Sequence, residues 1–398
     1  MNLSEIFYTL GKLSGLITLI SLALLIFSGD TARYFDRFLG LDLLIKFQRK
    51  FSFFVLSFAV LHPALFILSG RESLKVFIPN FYLIPLSFGI FAFLILIIVM
   101  LFSHFYKRIS YRAWQYIHIL TYILLFLALY HAFFWGSSAN NPIFQVIYLI
   151  ILIAVVSGAI YRFLYKYRVW RRPKFYISKI IQETNNIFSI ALRSDKKMNF
   201  KAGQFCFLRL RGKKLYARHP FTIASSPQEE ELLFTVKNTG RFTFALSKMK
   251  VGDEILIDGP FGRFTERKKS GDLVFIAGGV GITPFRSMAL DFLARGRQGK
   301  ISLIYCAKSQ EELVFEDDFN RLQGENFKTF YVLSAGEKNE GSYFAGRINK
   351  EIIKEALVNM NNPTFYICGP EPLKVATIQM IKELDVSKKS IIFEDFFW

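Results

Sequence analysis

The 398-residue chain has only three cysteines, fewer acidic than basic residues, and long stretches with no charge at all. So few cysteines exclude a disulfide-stapled scaffold. Cys206, Cys306 and Cys368 also stand too far apart for plant-type iron–sulfur spacing. No heptad repeat runs through the chain, which excludes a coiled coil. A composition that is 52% apolar, with 45 Phe, excludes disorder and is too greasy for an ordinary soluble enzyme. Lys+Arg of 50 against Asp+Glu of 31 leaves a net charge of +19, yet the basic residues form no arm or stripe, so no nucleic-acid partner is expected. They flank apolar runs instead.

No charge lies between Lys12 and Asp30, from Phe51 to Gly70, from Val76 to Tyr106, or from Ala113 to Tyr161. About 20 apolar residues cross a hydrocarbon core about 30 Å thick. The last run is too long for one crossing, and Gly136 to Pro142 breaks it with turn-formers. Five transmembrane helices are therefore expected, with a lipid bilayer as the first partner. Lys and Arg accumulate in cytoplasmic loops. Arg33, Arg37, Lys46, Arg49 and Lys50 follow the first span, Lys107, Arg108 and Arg112 the third, and Arg162 to Arg172 the fifth. The expected topology is a multi-pass cell-membrane protein with the N-terminus outside and everything after Tyr161 in the cytoplasm. The first span lacks a basic leader and a small-x-small cleavage site, so it reads as an anchor.

Four of the five histidines, His62, His104, His118 and His131, lie in or at the edge of these spans. Ionisable side chains are expensive in hydrocarbon, and imidazole is the usual axial ligand of haem iron. His62 in the second span and His131 in the fourth sit at similar outer-leaflet height, where they can clamp one haem. The alternative is that each hydrogen-bonds to a neighbouring helix. His118 stands 13 residues before His131, about 20 Å along the axis, which suits a second haem. Its partner position on the second span holds Gln48, a poor haem ligand; His104 is a substitute. Thirteen steps of 100° also turn the helix by about 220°, so either it is rewound locally or the two haems approach from different sides.

From Pro173 the composition becomes that of a globular protein. Short alternations at Phe175–Ile180, Ile187–Arg193, Gln204–Leu210 and Leu232–Lys237, punctuated by Gly203, Gly240, Gly252, Gly259 and Gly262 as turns, predict an antiparallel β-barrel. Beyond it, Leu273–Ala277, Ile301–Ala307, Lys328–Ser334, Thr364–Cys368 and Ser390–Phe393 alternate with helical stretches, predicting a parallel α/β sheet. The expected domains are 1–170, 173–269 and 270–398. Gly278-Gly279-Val280-Gly281-Ile282-Thr283-Pro284 ends the first parallel strand. Glycines there admit a pyrophosphate to the backbone and the helix N-terminus favours its charge, although a plain tight turn reads the same way.

In combination the chain resembles the NADPH oxidase and ferric reductase family, on His62 with the His118/His131 pair, His219-Pro220-Phe221-Thr222, the Gly278–Pro284 loop, and Cys368-Gly369-Pro370. The resemblance implies a haem-bearing membrane domain fused to a ferredoxin-reductase-like FAD and NAD(P)H module. It implies that His219, Pro220, Phe221 and Thr222, with Val236, Lys237, Gly240 and Thr243, contact FAD. It implies that Gly278, Gly279, Gly281, Thr283 and Pro284 hold the dinucleotide and that Cys368, Gly369 and Pro370 lie near the nicotinamide, with Thr283 and Cys368 at the site of hydride transfer. Tyr305 to Ser309 match the adenosine-ribose segment, where Lys308 and Ser309 suit the 2′-phosphate of NADPH; NADH stays open because Lys is a less pre-organised phosphate partner than Arg. Phe396 matches the aromatic that covers the flavin. The family has six spans and two bis-His haems of the b type, whereas this sequence offers five spans and Gln48, leaving one haem or two.

The function so implied is electron transfer from cytosolic NAD(P)H through FAD and membrane haem to dioxygen, giving superoxide, or to ferric iron in a chelate. The alternatives are a relay feeding a partner protein or quinone, and a flavin reductase merely anchored by helices.

Overall fold

The structure is a computed structural model that describes residues 2–105, 108–109, 111–136, 140–170, 173–210, 219–267 and 271–394. Its contacts divide the chain into two compact units, Met1–Trp170 and Arg171–Trp398.

The first unit is helical: α1 (Leu3–Asp30), a short α2 (Ala32–Leu39), α3 (Leu41–Leu68), α4 (Ile84–His104), α5 (Tyr111–Phe134) and α6 (Pro142–Trp170). All but α2 are long and apolar enough to cross a membrane, and the protein is membrane-embedded. Two boundaries differ from those expected. Helix α3 begins at Leu41, ahead of Lys46, Arg49 and Lys50, because backbone hydrogen bonding runs on past the point where side chains meet charge. Helix α4 begins at Ile84 rather than Val76, because Pro79 and Asn80 break the chain. The preceding residues Leu74–Phe77 form only a single 3-10 turn, while Pro85 starts the helix well. Helix α1 packs chiefly on α3 and α4 on α5. The shared core gathers Leu19, Leu22, Val55, Leu96, Leu124 and Ile151. Helix α6 leaves Ile150, Ile153, Ile160 and Phe163 exposed, as a lipid-facing surface requires.

The second unit carries two six-stranded sheets. The first is antiparallel: β1 (Phe175–Thr184), β2 (Ile187–Arg193), β3 (Phe205–Leu210), β4 (His219–Thr222), β5 (Leu232–Lys237) and β6 (Glu254–Phe261), in the order β4-β3-β6-β1-β2-β5. Strand β4 falls within the Arg218–Ser225 segment, which reads as a strand with a loop, whereas β6 is an addition to the sequence reading. Gly259, expected in a turn, lies within β6, where an added Cβ would meet the Cys206 sulfur at 2.6 Å. It is there for close packing rather than for bending. A short helix, α7 (Arg241–Ser247), follows β5.

The second sheet is parallel: β7 (Leu273–Gly278), β8 (Ile301–Ala307), β9 (Phe327–Leu333), β10 (Tyr343–Ala345), β11 (Thr364–Cys368) and β12 (Ile391–Glu394), in the order β10-β9-β8-β7-β11-β12. Helices α8 (Thr283–Ala294), α9 (Glu316–Leu322), α10 (Lys350–Ala356) and α11 (Glu371–Lys382) connect the strands. Progression runs from β7 to β8 on one side and resumes at β11 on the other. The strand order therefore reverses between β7 and β11, and a crevice opens at their carboxyl ends.

Candidate functional site

In the helical unit His62 and His131 face each other from α3 and α5, with ring centres 6.2 Å apart and ring planes at 84°. Each Nδ1 donates to a backbone carbonyl of a neighbouring helix, His62 to Gly11 at 2.8 Å and His131 to Pro85 at 2.9 Å. A carbonyl only accepts, so the proton resides on Nδ1 and Nε2 keeps its lone pair, the state that a metal-ligating imidazole needs. Two metal–imidazole bonds of about 2 Å each would bring two ring centres roughly 6 Å apart, so this pair fits a single iron between them.

Sequence reasoning missed what seats these rings. A Cβ on Gly15 of α1 would stand 2.6 Å from the His62 ring, and one on Gly89 of α4 would stand 2.7 Å from His131 Nδ1. Both seats have the same build: a carbonyl at position i accepts the ring proton and a glycine at i+4 makes room for the ring. Gly15 closes a Gly11-x-x-x-Gly15 close-packing motif that is legible in the sequence, whereas Gly89 has no such partner and only the pairing of helices reveals it.

The other two membrane histidines differ. His118 stacks on Trp114 one turn earlier, with centres 4.8 Å apart and planes at 16°. His104 ends α4 exposed, beside Phe105. Gln48 donates from Nε2 to Ser28 Oγ at 3.1 Å. Next to Gly29 on α1, Asp30 is buried and accepts from the Tyr122 hydroxyl at 2.6 and 2.9 Å and from Arg162 at 2.9 Å. This charge cluster ties α1, α5 and α6 together. Helix α5 runs unbroken through His118 and His131, so local rewinding does not align them.

In the second unit, β4 is the edge strand that presents His219 to Thr222. The loop after β5 returns to it. Phe242 packs its ring 4.4 Å from that of His219 and 5.9 Å from that of Phe221. Thr243 Oγ1 accepts from the amides of Gly240 at 2.9 Å and Thr239 at 3.0 Å, which fixes the loop. The two segments on either side of β5 thus meet. Lys237 is exposed at the strand end, whereas the Val236 side chain is fully buried in the barrel, leaving only its backbone available. Burial lowers the pKa of His219, so its imidazole is neutral at pH 7.

At the crevice, Gly278 ends β7, Gly279 takes φ +53°, and Thr283 and Pro284 open α8. Thr283 donates its hydroxyl to the Val280 carbonyl at 3.0 Å. The neighbouring β11 delivers Cys368, Gly369 and Pro370 directly against this turn. A Cβ on Gly281 would fall 2.3 Å from the Cys368 carbonyl oxygen, and one on Gly278 would fall 2.8 Å from Pro370. The glycines are therefore required by the contact of two loops, whatever else they admit. The Cys368 thiol is fully buried and its pKa is pushed well up by burial, so it sits in the core as a neutral thiol.

Lys308 and Ser309 follow β8. Ser309 donates to Glu311 at 2.6 Å, which places a carboxylate among the groups expected to receive a phosphate. Barrel and sheet are joined at α8: Arg286 donates to the Ala224 carbonyl at 3.0 Å and to Asp318 at 2.6 Å, and Ser287 donates to the Ser225 carbonyl at 2.6 Å. Phe396 lies outside the described residues.

A helical membrane unit followed by an antiparallel barrel and a doubly wound parallel sheet, the sheet bearing a glycine-rich crevice, defines a membrane-embedded oxidoreductase of the ferredoxin-reductase-like kind. The description "Ferric reductase like transmembrane component" matches residues 10–129, "FAD-binding domain" matches 172–265 and "Oxidoreductase NAD-binding domain" matches 275–379. In that order they give the chain the fused architecture of the ferric reductase and NADPH oxidase family. The chain is also 36% identical over 155 residues to one component of the Na(+)-translocating NADH-quinone reductases of Serratia proteamaculans and Yersinia enterocolitica. That match covers 37% of this chain and 38% of each relative. Among solved structures, the Amycolatopsis cytochrome P450 reductase GcoB is similar in fold, with a TM-score of 0.50 and 21% identity over 56% of this chain and 69% of that one.

Proposed function

We propose that the protein takes reducing equivalents from NAD(P)H into FAD on its second unit and passes single electrons through a haem b held by His62 and His131 to an acceptor outside the cytoplasm. The acceptor is dioxygen, giving superoxide, or ferric iron in a chelate. The observation that carries the reading is the facing imidazole pair, each ring held by a carbonyl and a glycine so that both Nε2 atoms remain free to ligate.

When bound, the flavin converts a two-electron donor into single electrons and the haem iron carries them one at a time. The chain's residues do the rest. Gly278, Gly279 and Gly281 let the dinucleotide approach the backbone, and the N-terminus of α8 at Thr283 and Pro284 favours its pyrophosphate. Gly369 and Pro370, beside Gly278, position the nicotinamide; Thr283 and the Cys368 backbone line that place, with Phe396 as the aromatic cover. His219, Phe221 and Thr222, with the Lys237–Thr243 loop, hold the flavin, His219 as a neutral ring. Lys308 supports NADPH and Glu311 supports NADH, whose ribose hydroxyl can donate to a carboxylate. With the N-terminus outside and the second unit in the cytoplasm, outward electron movement is helped by about 2.3 kcal/mol per 100 mV of membrane potential.

The test is a reduced-minus-oxidised spectrum of the purified full chain with haem counted against flavin. A Soret band is expected, and it disappears in His62→Ala and in His131→Ala while flavin is retained. A chain that binds flavin but never haem overturns the proposal. Superoxide and ferric-chelate reduction are then measured on the same sample. The similarity to a component of NADH-quinone reductases favours a second reading, a relay to a quinone or partner protein. Activity that appears only on adding quinone or partner supports that reading, and turnover with a soluble acceptor alone excludes it.

A further inference from the structure

Two adjacent residues of α8 hold two adjacent carbonyls of the barrel. Arg286 donates from Nη1 to the Ala224 carbonyl at 3.0 Å, and Ser287 donates from Oγ to the Ser225 carbonyl at 2.6 Å. Ala224 and Ser225 stand just past Thr222, the last residue of β4, and Arg286 and Ser287 stand one turn past Thr283, where α8 begins. One helical turn therefore separates the end of α8 that faces the crevice from the side chains that grip the continuation of β4. Arg286 reaches further than Ser287. Its side chain is 11% exposed, and it also donates from Nε to Asp318 of α9 at 2.6 Å and from Nη1 and Nη2 to Glu229, in the loop between β4 and β5, at 3.3 and 3.4 Å. Barrel, α8 and α9 thus meet in one planar fork, which no other side chain supplies. The start of α9 is shaped to it. Phe315, the residue before that helix, takes φ +64°, a left-handed conformation that a bulky side chain adopts only at a cost. That backbone lays its ring 5.0 Å from the guanidinium in a cation–π contact, while Asp318 reaches the same cation from the first turn of α9.

We infer that Arg286 is a positioning residue for flavin reduction: by tying α8 to Ala224 and to α9 at once, it sets the approach of the nicotinamide to the flavin. The inference rests on the proposed reading of the Gly278–Pro284 crevice as the dinucleotide's site and of β4 as the flavin's. The step moves one hydrogen with its electron pair from NAD(P)H, which is oxidised, to FAD, which is reduced. Arg286 exchanges neither proton nor electron in it. Its effect is on distance, because the reacting atoms must stand about 3–3.5 Å apart and the rate falls steeply as they separate. Lysine cannot replace it, since an ammonium carries the charge without the fork and cannot meet a carbonyl and two carboxylates in one plane.

The experiment mixes NADPH with the oxidised, flavin-loaded full chain without oxygen and follows flavin bleaching together with the long-wavelength charge-transfer absorbance of stacked nicotinamide and flavin. In Arg286→Met the limiting rate falls about 10-fold, short of the roughly 100-fold expected for a full 1 Å misplacement, because Ser287 still holds Ser225. The NADPH concentration at half-maximal rate stays near the wild-type value, flavin content holds and the charge-transfer band weakens. Arg286→Lys recovers only part of the rate. Asp318→Asn removes one arm of the fork at a half-buried position and slows the step by a smaller factor, so the inference is tested even where Arg286→Met loses its flavin. A wild-type limiting rate per bound flavin in Arg286→Met, or in Asp318→Asn, overturns the inference, as does full recovery in Arg286→Lys. So does a raised half-maximal concentration with the limiting rate intact, the mark of a residue that binds the dinucleotide instead of placing it. A wild-type chain whose flavin NADPH cannot bleach sinks the functional reading itself, a different failure from equal rates in wild type and variant.

Discussion

The two units place glycine at the same task by different means. In the α/β sheet, Gly278, Gly279 and Gly281 are neighbours in sequence, and their clearance is set by the turn of β11 packed against them. In the helical unit, Gly15 and Gly89 stand a whole turn or more from any other glycine, on separate apolar helices, and each clears space for a ring delivered by a different helix. A crevice at a strand end is written in contiguous residues because one turn makes it. A seat between helices is written in pairs that only packing brings together. Substitution at the two kinds of glycine should therefore fail differently.

The largest effect is expected at the contiguous site. Gly281→Ala drives a methyl group into the Cys368 backbone oxygen, which cannot swing away as a side chain does. Such overpacking costs about 1–3 kcal/mol. Displacing the loop by even 1 Å slows reduction of the flavin by NAD(P)H about 100-fold, read by anaerobic stopped flow. A rate within a few-fold of wild type would show that the two loops yield independently.

At the dispersed site, Gly15→Ala and Gly89→Ala press on imidazoles, which can tilt. Disturbing the groups that orient a metal ligand typically costs 10- to 100-fold in affinity, so haem retention through gel filtration should fall by about that factor while flavin content holds. If both variants retain haem as the wild type does, the rings are not seated by these glycines.

The smallest effect is expected at the exposed adenosine end. Exposed charges are screened and contribute little, so Lys308→Ala shifts the ratio of kcat/KM for NADPH over NADH down by roughly 3- to 5-fold, and Glu311→Gln shifts it up by a similar factor. Opposite signs are the essential outcome; a shift of the same sign in both variants would remove this pair from dinucleotide choice.

Most of the architecture was legible because it rests on periodicity. Charge-free runs revealed the spans, and alternation revealed β1, β2, β3 and β5, while the glycine-bearing β6 and the very short β10 carried too little pattern. The facing pair His62/His131 and the loops at Gly278 and Cys368 could be named from residue type and order. Their supports could not. The Gly11 and Pro85 carbonyls are backbone groups without side-chain identity, Glu311 is an ordinary surface acid, and Arg286 acquires its role only when the end of β4 and α9 close around it. Lys308 shows the same limit from the other side: its charge is visible in the sequence, whereas the Glu311 carboxylate that holds the neighbouring Ser309 is not.

The Asp30–Tyr122–Arg162 cluster bears on how the helical unit is made. The acid that closes α1 is synthesised more than a hundred residues before its guanidinium partner on α6. The pocket that shields this carboxylate is built by α5 and α6 themselves, so burial and countercharge reach the end of α1 together; with the helices assembled but the guanidinium removed, the buried acid would cost several kcal/mol. The cluster is therefore a clasp between the ends of the chain's helical unit: the first helix finds its final partner only in the sixth, and the unit's closure is a property of the whole bundle rather than of any neighbouring pair.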